Sequence, residues 1–256
     1  MKHLVALALI SPLGLFTGLL TFQAVDGSAA PAAPSQEGKG PVAGRVLFDG
    51  ERPTPPPLDI DPAKAKGCTQ PGQELDTTNR SLIVSKDLGI KNAVVSIAVK
   101  DAKLVVPEKP VELDQVACAF EPHVIVVPVG TTVAYLNSDK VAHNVRTLAR
   151  KHEGINKTVA PGGKELQLLD AGADKIEIKC DLHPWMNAWL FVTDTPYTAI
   201  TDAEGNFKLP DLPAGEYKLA VWHERLPKAE ATVVVKPDGS CEPVTIKLAE
   251  KKKKRE

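Results

Sequence analysis

Short apolar runs separated by turn residues recur along most of the chain. Val, Ile and Leu cluster in runs of about four to eight residues, and 18 glycines and 22 prolines punctuate them. Strands joined by turns produce this pattern, whereas amphipathic helices would repeat apolar residues every three or four positions. The sequence therefore predicts an all-β protein.

Three strands are predicted before the middle of the chain. Residues 42–49 (V-A-G-R-V-L-F-D) end in a turn, and residues 81–85 and 92–99 follow a proline-rich stretch. The run at 92–99, N-A-V-V-S-I-A-V, alternates imperfectly between apolar and polar positions. Such a pattern is typical of a strand that is buried on both faces.

The first 30 residues differ from the rest. Lys2 and His3 precede an apolar run over residues 4–22, and small residues follow. This order predicts export to the periplasm or cell envelope, with cleavage as a signal peptide and retention as an N-terminal anchor both open. Residues 31–40 are a linker, and residues 250–256 form a basic tail of the kind that is usually solvated.

Length and charge limit the remaining choices. A chain of 256 residues has room for two ordinary domains. Its formal net charge of -1 favours no nucleic-acid partner, and membrane contact is expected only through an uncleaved N-terminal segment. No paired carboxylates, nucleophile elbow or phosphate-binding loop is evident, so no enzyme activity is predicted.

One stretch concentrates metal-binding chemistry. Residues 179–190, K-C-D-L-H-P-W-M-N-A-W-L, place Cys180, His183 and Met186 on one short connection after a predicted strand. A second imidazole comes from His143, in N-S-D-K-V-A-H-N-V. Two His, one Cys and a weak Met make the trigonal site with a long axial thioether that suits copper in electron transfer.

These motifs resemble those of the cupredoxin family, in particular its amicyanin- and plastocyanin-like members, whose ligand loop also has the spacing C-x-x-H-x-x-M. Residues 120–145 resemble the first half of that fold. The resemblance implies one type 1 copper per chain, an axial Met and an asparagine that braces the Cys loop. The implied metal ligands are His143, Cys180, His183 and Met186, with Asn144 and Pro184 beside them.

The resemblance also implies a function. A one-electron carrier would dock a redox partner, a cytochrome or a dehydrogenase, through the apolar patch of Leu182, Pro184 and Trp185 around His183. The alternative is a copper-holding or cell-envelope interaction protein in which the metal is stored or structural. A multicopper enzyme is disfavoured, because six histidines, one of them in the N-terminal segment, do not supply a trinuclear cluster.

A second resemblance covers the C-terminal part. The motifs T-D-x-x-G-x-F (201–207) and P-x-G-x-Y (213–217) resemble a transthyretin-like or carboxypeptidase-regulatory-like β-sandwich. The opening strands of such a sandwich are found far upstream. One sandwich formed by residues 41–102 and 194–249, with a cupredoxin domain at 103–193 inserted, is therefore predicted, and consecutive domains are the alternative.

Four cysteines complete the candidates. With Cys180 assigned to copper, a disulfide among the other three is expected in an oxidising compartment, and the sequence leaves its connectivity open. Cys68 with Cys118 is preferred because this bond would tie the two domains together near their junction, and Cys241 would then be a free thiol or an intermolecular partner. His123 and His223 are interpreted as ordinary polar residues of a strand and of an interface.

Overall fold

The computed structural model describes residues 38–69 and 74–250, and within these ranges the chain contains strands and turns but no α-helix. All of the described residues belong to one compact unit. The prediction of an all-β, β-sandwich protein is confirmed. In chain order the strands are β1 (Lys39–Phe48), β2 (Val94–Ile97), β3 (Val111–Val116), β4 (Ala119–Glu121), β5 (Val124–Pro128), β6 (Thr131–Leu136), β7 (His143–Leu148), β8 (Asn156–Val159), β9 (Lys164–Leu169), β10 (Asp174–Lys179), β11 (Asn187–Thr193), β12 (Thr198–Ile200), β13 (Asn206–Pro213), β14 (Gly215–Trp222), β15 (Ala229–Val235) and β16 (Val244–Leu248).

Strands β3 to β11 form sandwich A. One sheet has the order β5-β11-β10-β7-β8 and the other β4-β3-β6-β9. Strand β10 shows how the sequence specifies the packing, because Ile176 and Ile178 are buried whereas the charged Lys175 and Glu177 between and before them face outward. The buried side chains of both sheets meet in one continuous core.

Strands β1, β2 and β12 to β16 form sandwich B around a second core. Its sheets have the orders β13-β1-β16 and β12-β2-β14-β15. Strand β1 pairs antiparallel with β13 and parallel with β16, and β2 lies between β12 and β14. Strands from both ends of the described chain thus share both sheets. We propose on this basis that sandwich A is inserted into sandwich B, with the bounds predicted from the sequence.

Strand β2 is buried on both faces. Val95 and Ile97 belong to the core of sandwich B. Val94 points the other way, into a small third cluster with Val124 and Phe191 of sandwich A. This explains the imperfect alternation in the sequence. The strand predicted at residues 81–85 is wrong, because only Val84 makes a ladder contact there, an isolated bridge with Ile90.

A disulfide joins Cys68 to Cys118 across 50 residues of chain. Cys118 lies in the turn between β3 and β4. Cys68 belongs to the range expected to form part of sandwich B, but it packs into the core of sandwich A together with Ala65 and Leu75. The long connection between β1 and β2 therefore lies partly on sandwich A.

Several predictions fall outside the described residues. These are the export segment at 1–30, the linker up to residue 37 and the tail at 251–256. In the part of the chain that is described, no helix has the length and apolar composition needed to cross a membrane.

His223, at the end of β14, is 3% exposed and accepts a hydrogen bond at Nδ1 from the Arg225 N–H (3.2 Å). Burial, followed by repulsion from His123, lowers the pKa of His223 to about 4. The folded protein therefore resists protonation of this ring, whereas the unfolded chain takes up the proton near pH 6.5.

We expect His223 to make the protein less stable in acid. As pH falls from about 6.5 to 4, the unfolded state binds more protons, so the free energy of unfolding should fall by about 2 to 3 kcal/mol through His223. Urea unfolding of wild type and His223→Gln at pH 7.5 and pH 4.5 measures the free energy of unfolding. Between these two pH values the variant should lose about 2 to 3 kcal/mol less of it than the wild type. Equal losses in the two proteins would contradict the prediction.

Candidate metal centre

Three of the predicted ligands lie at the ends of neighbouring strands. His143 is the first residue of β7, Cys180 follows β10 directly, and Met186 directly precedes β11. Because β7 and β11 both pair with β10, the ladder itself brings His143 next to the loop that carries the other ligands.

The donor atoms form a compact triangle. The Nδ1 atoms of His143 and His183 are 2.8 Å apart, and Cys180 Sγ lies 3.9 Å from the first and 3.7 Å from the second. A point equidistant from these three atoms in their plane lies about 2 Å from each of them. That distance is close to ordinary metal–nitrogen and metal–sulfur bond lengths. All three residues are buried. The site therefore fits a metal ion held by two nitrogens and one sulfur, the donor set that suits copper.

Two backbone hydrogen bonds close the loop that carries Cys180, His183 and Met186. The N–H of Met186 donates to the carbonyl of His183 (2.9 Å), and the N–H of Cys180 donates to the carbonyl of Met186 (3.3 Å). Met186 is 1% exposed and packs in the same core as Cys180. These two backbone bonds and the burial of Met186 fix the course of the loop that carries the three side chains.

Asp139 orients His143, a role that the sequence analysis did not assign. The carboxylate Oδ2 lies 2.8 Å from His143 Nε2 and also accepts the N–H of Cys118. Since a carboxylate only accepts, Nε2 carries a proton, and Nδ1 is left as the nitrogen that would bind a metal. The signal was present in the sequence, because Asp139 lies four residues before His143 in the same turn.

The electrostatics of the site favour a thiolate. Burial by itself would raise the pKa of the Cys180 thiol, but hydrogen bonds from His143 and His183 outweigh burial and lower the pKa to about 6. For His143, burial opposes protonation, whereas hydrogen bonds to Asp139 and Cys180 outweigh burial and raise the pKa. A thiolate already present at neutral pH is the form that binds metal.

Asn144 joins β7 to the Cys180 loop. Its Oδ1 accepts the N–H of Asp181 (2.6 Å) and that of Leu182 (3.3 Å), and its Nδ2 donates to Asn156 Oδ1 (2.8 Å). The residue therefore lies where the sequence analysis expected a brace for the loop.

Other groupings of donors nearby share these histidines. Cys68 and Cys118 with His183, and Cys118 with Asp139 and His143, also bring donor atoms within 4.8 Å of one another. In both groupings the sulfurs belong to the disulfide, so they are not thiolates and are poor metal ligands. Cys180 is the remaining thiolate at this point, while Cys241, the other free cysteine of the described residues, is half-buried in sandwich B.

An apolar surface surrounds His183. Leu182 is 47% exposed, Pro184 is exposed and Trp185 is half-buried. The Trp185 ring meets the His183 ring edge-on at 5.2 Å and donates its Nε1–H to the carbonyl of Cys118. His183 itself is 6% exposed. The three predicted docking residues thus flank a predicted ligand that solvent barely reaches.

His123 has a partner that the sequence did not reveal. Its Nε2 lies 2.5 Å from Glu224 Oε1, and Trp189 Nε1–H donates to Glu224 Oε2 (3.2 Å). Both the His123 and the Glu224 side chains are buried. His123 therefore belongs to the contact between the two sandwiches and not to the metal centre.

Comparisons with known proteins place cupredoxins among the structural neighbours. No protein-family model matches the chain, and neither does any curated protein sequence. A copper-containing nitrite reductase from Thermus scotoductus SA-01 matches 38% of this chain at 25% identity with a TM-score of 0.32, and the chain spans 25% of the reductase. A purple cupredoxin from Nitrosopumilus maritimus matches 32% of the chain and 99% of its own length at 22% identity and TM-score 0.28.

A reduced Cu(I) variant of amicyanin matches 39% of this chain and 98% of its own length, at 18% identity and a TM-score of 0.31. None of these three proteins is described as transthyretin-like or carboxypeptidase-regulatory-like, so that resemblance of sandwich B stays a prediction. The structural matches are partial, and the interpretation of the metal centre rests on its donor geometry.

Proposed function

We propose that this protein is an exported type 1 copper protein that carries single electrons. The observation that supports the proposal best is the buried triangle of His143 Nδ1, His183 Nδ1 and Cys180 Sγ. Copper bound there would supply a one-electron couple. The chain's own residues would hold the donor set unchanged between the two oxidation states, which is what a carrier requires.

Each residue of the centre has a distinct role in this proposal. Cys180 provides the thiolate, and His143 and His183 provide the imidazole nitrogens. Asp139 fixes the tautomer of His143, and Asn144 holds the Cys180 loop on β7. Met186, buried beside Cys180, is proposed as the weak axial ligand that tunes the potential.

The surface over His183 suits a short-lived partner. Leu182, Pro184 and Trp185 offer a small apolar patch, and small patches of this kind support transient contacts. We propose a redox protein, a cytochrome or a dehydrogenase, as the partner. Neither nucleic acid nor membrane is required, apart from the N-terminal segment if it remains as an anchor. The proposal includes no catalytic step.

Electrochemistry tests this function. The copper-loaded protein should show a reversible one-electron potential with fast electron self-exchange, and Met186→Leu should keep copper while raising the potential. Loss of a thioether that stabilises Cu(II) should shift the potential by about 60 mV for each tenfold change in relative affinity. Slow self-exchange with a distorted, non-blue spectrum would contradict a carrier and support copper storage or a structural metal.

A further inference from the structure

A groove of about 550 Å³ lies between the two sandwiches. Its floor is aromatic and apolar. The ring of Trp222, on β14, meets Phe191 of β11 at 4.5 Å and Trp189 at 5.0 Å, both edge-on. Phe191 and Val94 are 7% and 3% exposed. These ring contacts join the two sandwiches at the floor of the groove.

Four cations line the same groove, and none of them forms an ion pair with a carboxylate of the described residues. They are Arg150, Lys151, Lys175 and Lys228, of which Arg150, Lys175 and Lys228 lie close enough to affect one another. Lys175 Nζ lies 5.6 Å from the centre of the Phe191 ring. Positive charge therefore stands directly beside the aromatic floor.

Three acidic residues, Asp174, Asp194 and Glu230, also line the groove, and none of them forms an ion pair with these cations. The carboxylate of Asp174 is occupied by three backbone N–H groups, those of Arg150, Lys151 and Lys175. Burial lowers the pKa of Lys175, and the neighbouring Lys228 and Arg150 lower it further. The three cations thus repel one another, and an anion placed among them would relieve that repulsion.

We propose that this groove binds a small aromatic carboxylate. The ring of such a ligand would pack on Phe191 and Trp222, and its carboxylate would lie among Arg150, Lys175 and Lys228. The volume is in the range typical of small-molecule sites, and an apolar surface with a few convergent charges is their usual composition. The groove uses none of the proposed copper ligands, so this site is independent of the metal centre.

Calorimetric titration of the metal-free full chain with 2-naphthoate tests the proposal. We expect saturable binding with one site per chain, weakened by added NaCl because exposed charges are screened. The neutral analogue 2-naphthalenemethanol should bind at least about tenfold more weakly, a difference of about 1.4 kcal/mol. Acetate, which lacks the ring, should show no saturable binding up to about 1 mM.

Matched variants locate the site. Lys175→Gln/Lys228→Gln should weaken 2-naphthoate at least about tenfold. Lys164→Gln/Lys218→Gln removes the same charge from exposed positions that do not line the groove, and it should leave the affinity unchanged. Equal weakening by both pairs, equal binding of the neutral alcohol, or no saturable binding of 2-naphthoate would each overturn the proposal. None of these results bears on the copper function.

Discussion

Cys180→Ser should remove the intense visible absorption of the copper-loaded protein entirely. In a centre of this type the colour comes from charge transfer between the cysteine sulfur and Cu(II), so no other ligand can replace it. The structure supports Cys180 as the source, because its sulfur is within 3.7 Å and 3.9 Å of the two imidazole donors and its thiol is acidified by them.

The matched control is Cys241→Ser. Cys241 is the other free cysteine of the described residues and packs against the core of sandwich B. Its replacement should leave the absorption and the copper stoichiometry unchanged. If the colour survives in Cys180→Ser, the ligand assignment is wrong, whatever the effect of the control.

Residues 194–250 expressed alone should not fold. Strand β1 lies between β13 and β16 in one sheet of the described residues, and β2 lies between β12 and β14 in the other. Without β1 and β2, both sheets of sandwich B lose their central pairings and expose open edges. We therefore expect no cooperative thermal transition and a tendency to aggregate.

Reconnection should rescue sandwich B. The N–H of Ile97 donates to the carbonyl of Tyr197 (2.9 Å), so the chain on the two sides of sandwich A is already adjacent. Residues 38–101 joined to 194–250 by a short Gly/Ser link should unfold cooperatively, with Cys68→Ser introduced because its disulfide partner is absent. Residues 102–193 with Cys118→Ser should bind copper by themselves.

A cooperative transition for the isolated 194–250 fragment would contradict the insertion. Sandwich B would then be complete without β1 and β2, and the chain would consist of consecutive domains. Circular dichroism during heating, compared between this fragment and the reconnected form, distinguishes the two arrangements.

Local spacing along the chain was enough to identify the loop of the candidate metal centre. Cys180, His183 and Met186 lie within seven residues, so they belong to one short loop however the strands pack. His143 was identifiable because it ends the turn between two apolar runs and is followed directly by Asn144. The double-sided burial of β2 followed from its imperfect alternation.

Features that depend on how the two sandwiches pack were not predictable in the same way. His123 and Glu224 are 101 residues apart in sequence, and the contact exists because β5 and the end of β14 meet at the interface. The cationic groove likewise combines side chains of both sandwiches. Residues 81–85 look like a strand by composition, but Leu82 and Val84 are buried in the core of sandwich B without a ladder partner beyond one bridge.

The visible and EPR spectra of the full chain loaded with one equivalent of Cu(II) test the proposed copper centre most directly. An intense visible band and a narrow copper hyperfine splitting, saturating at one copper per chain, are the expected result. A pale protein with a spectrum typical of tetragonal nitrogen and oxygen ligands, unchanged in Cys180→Ser, would contradict it.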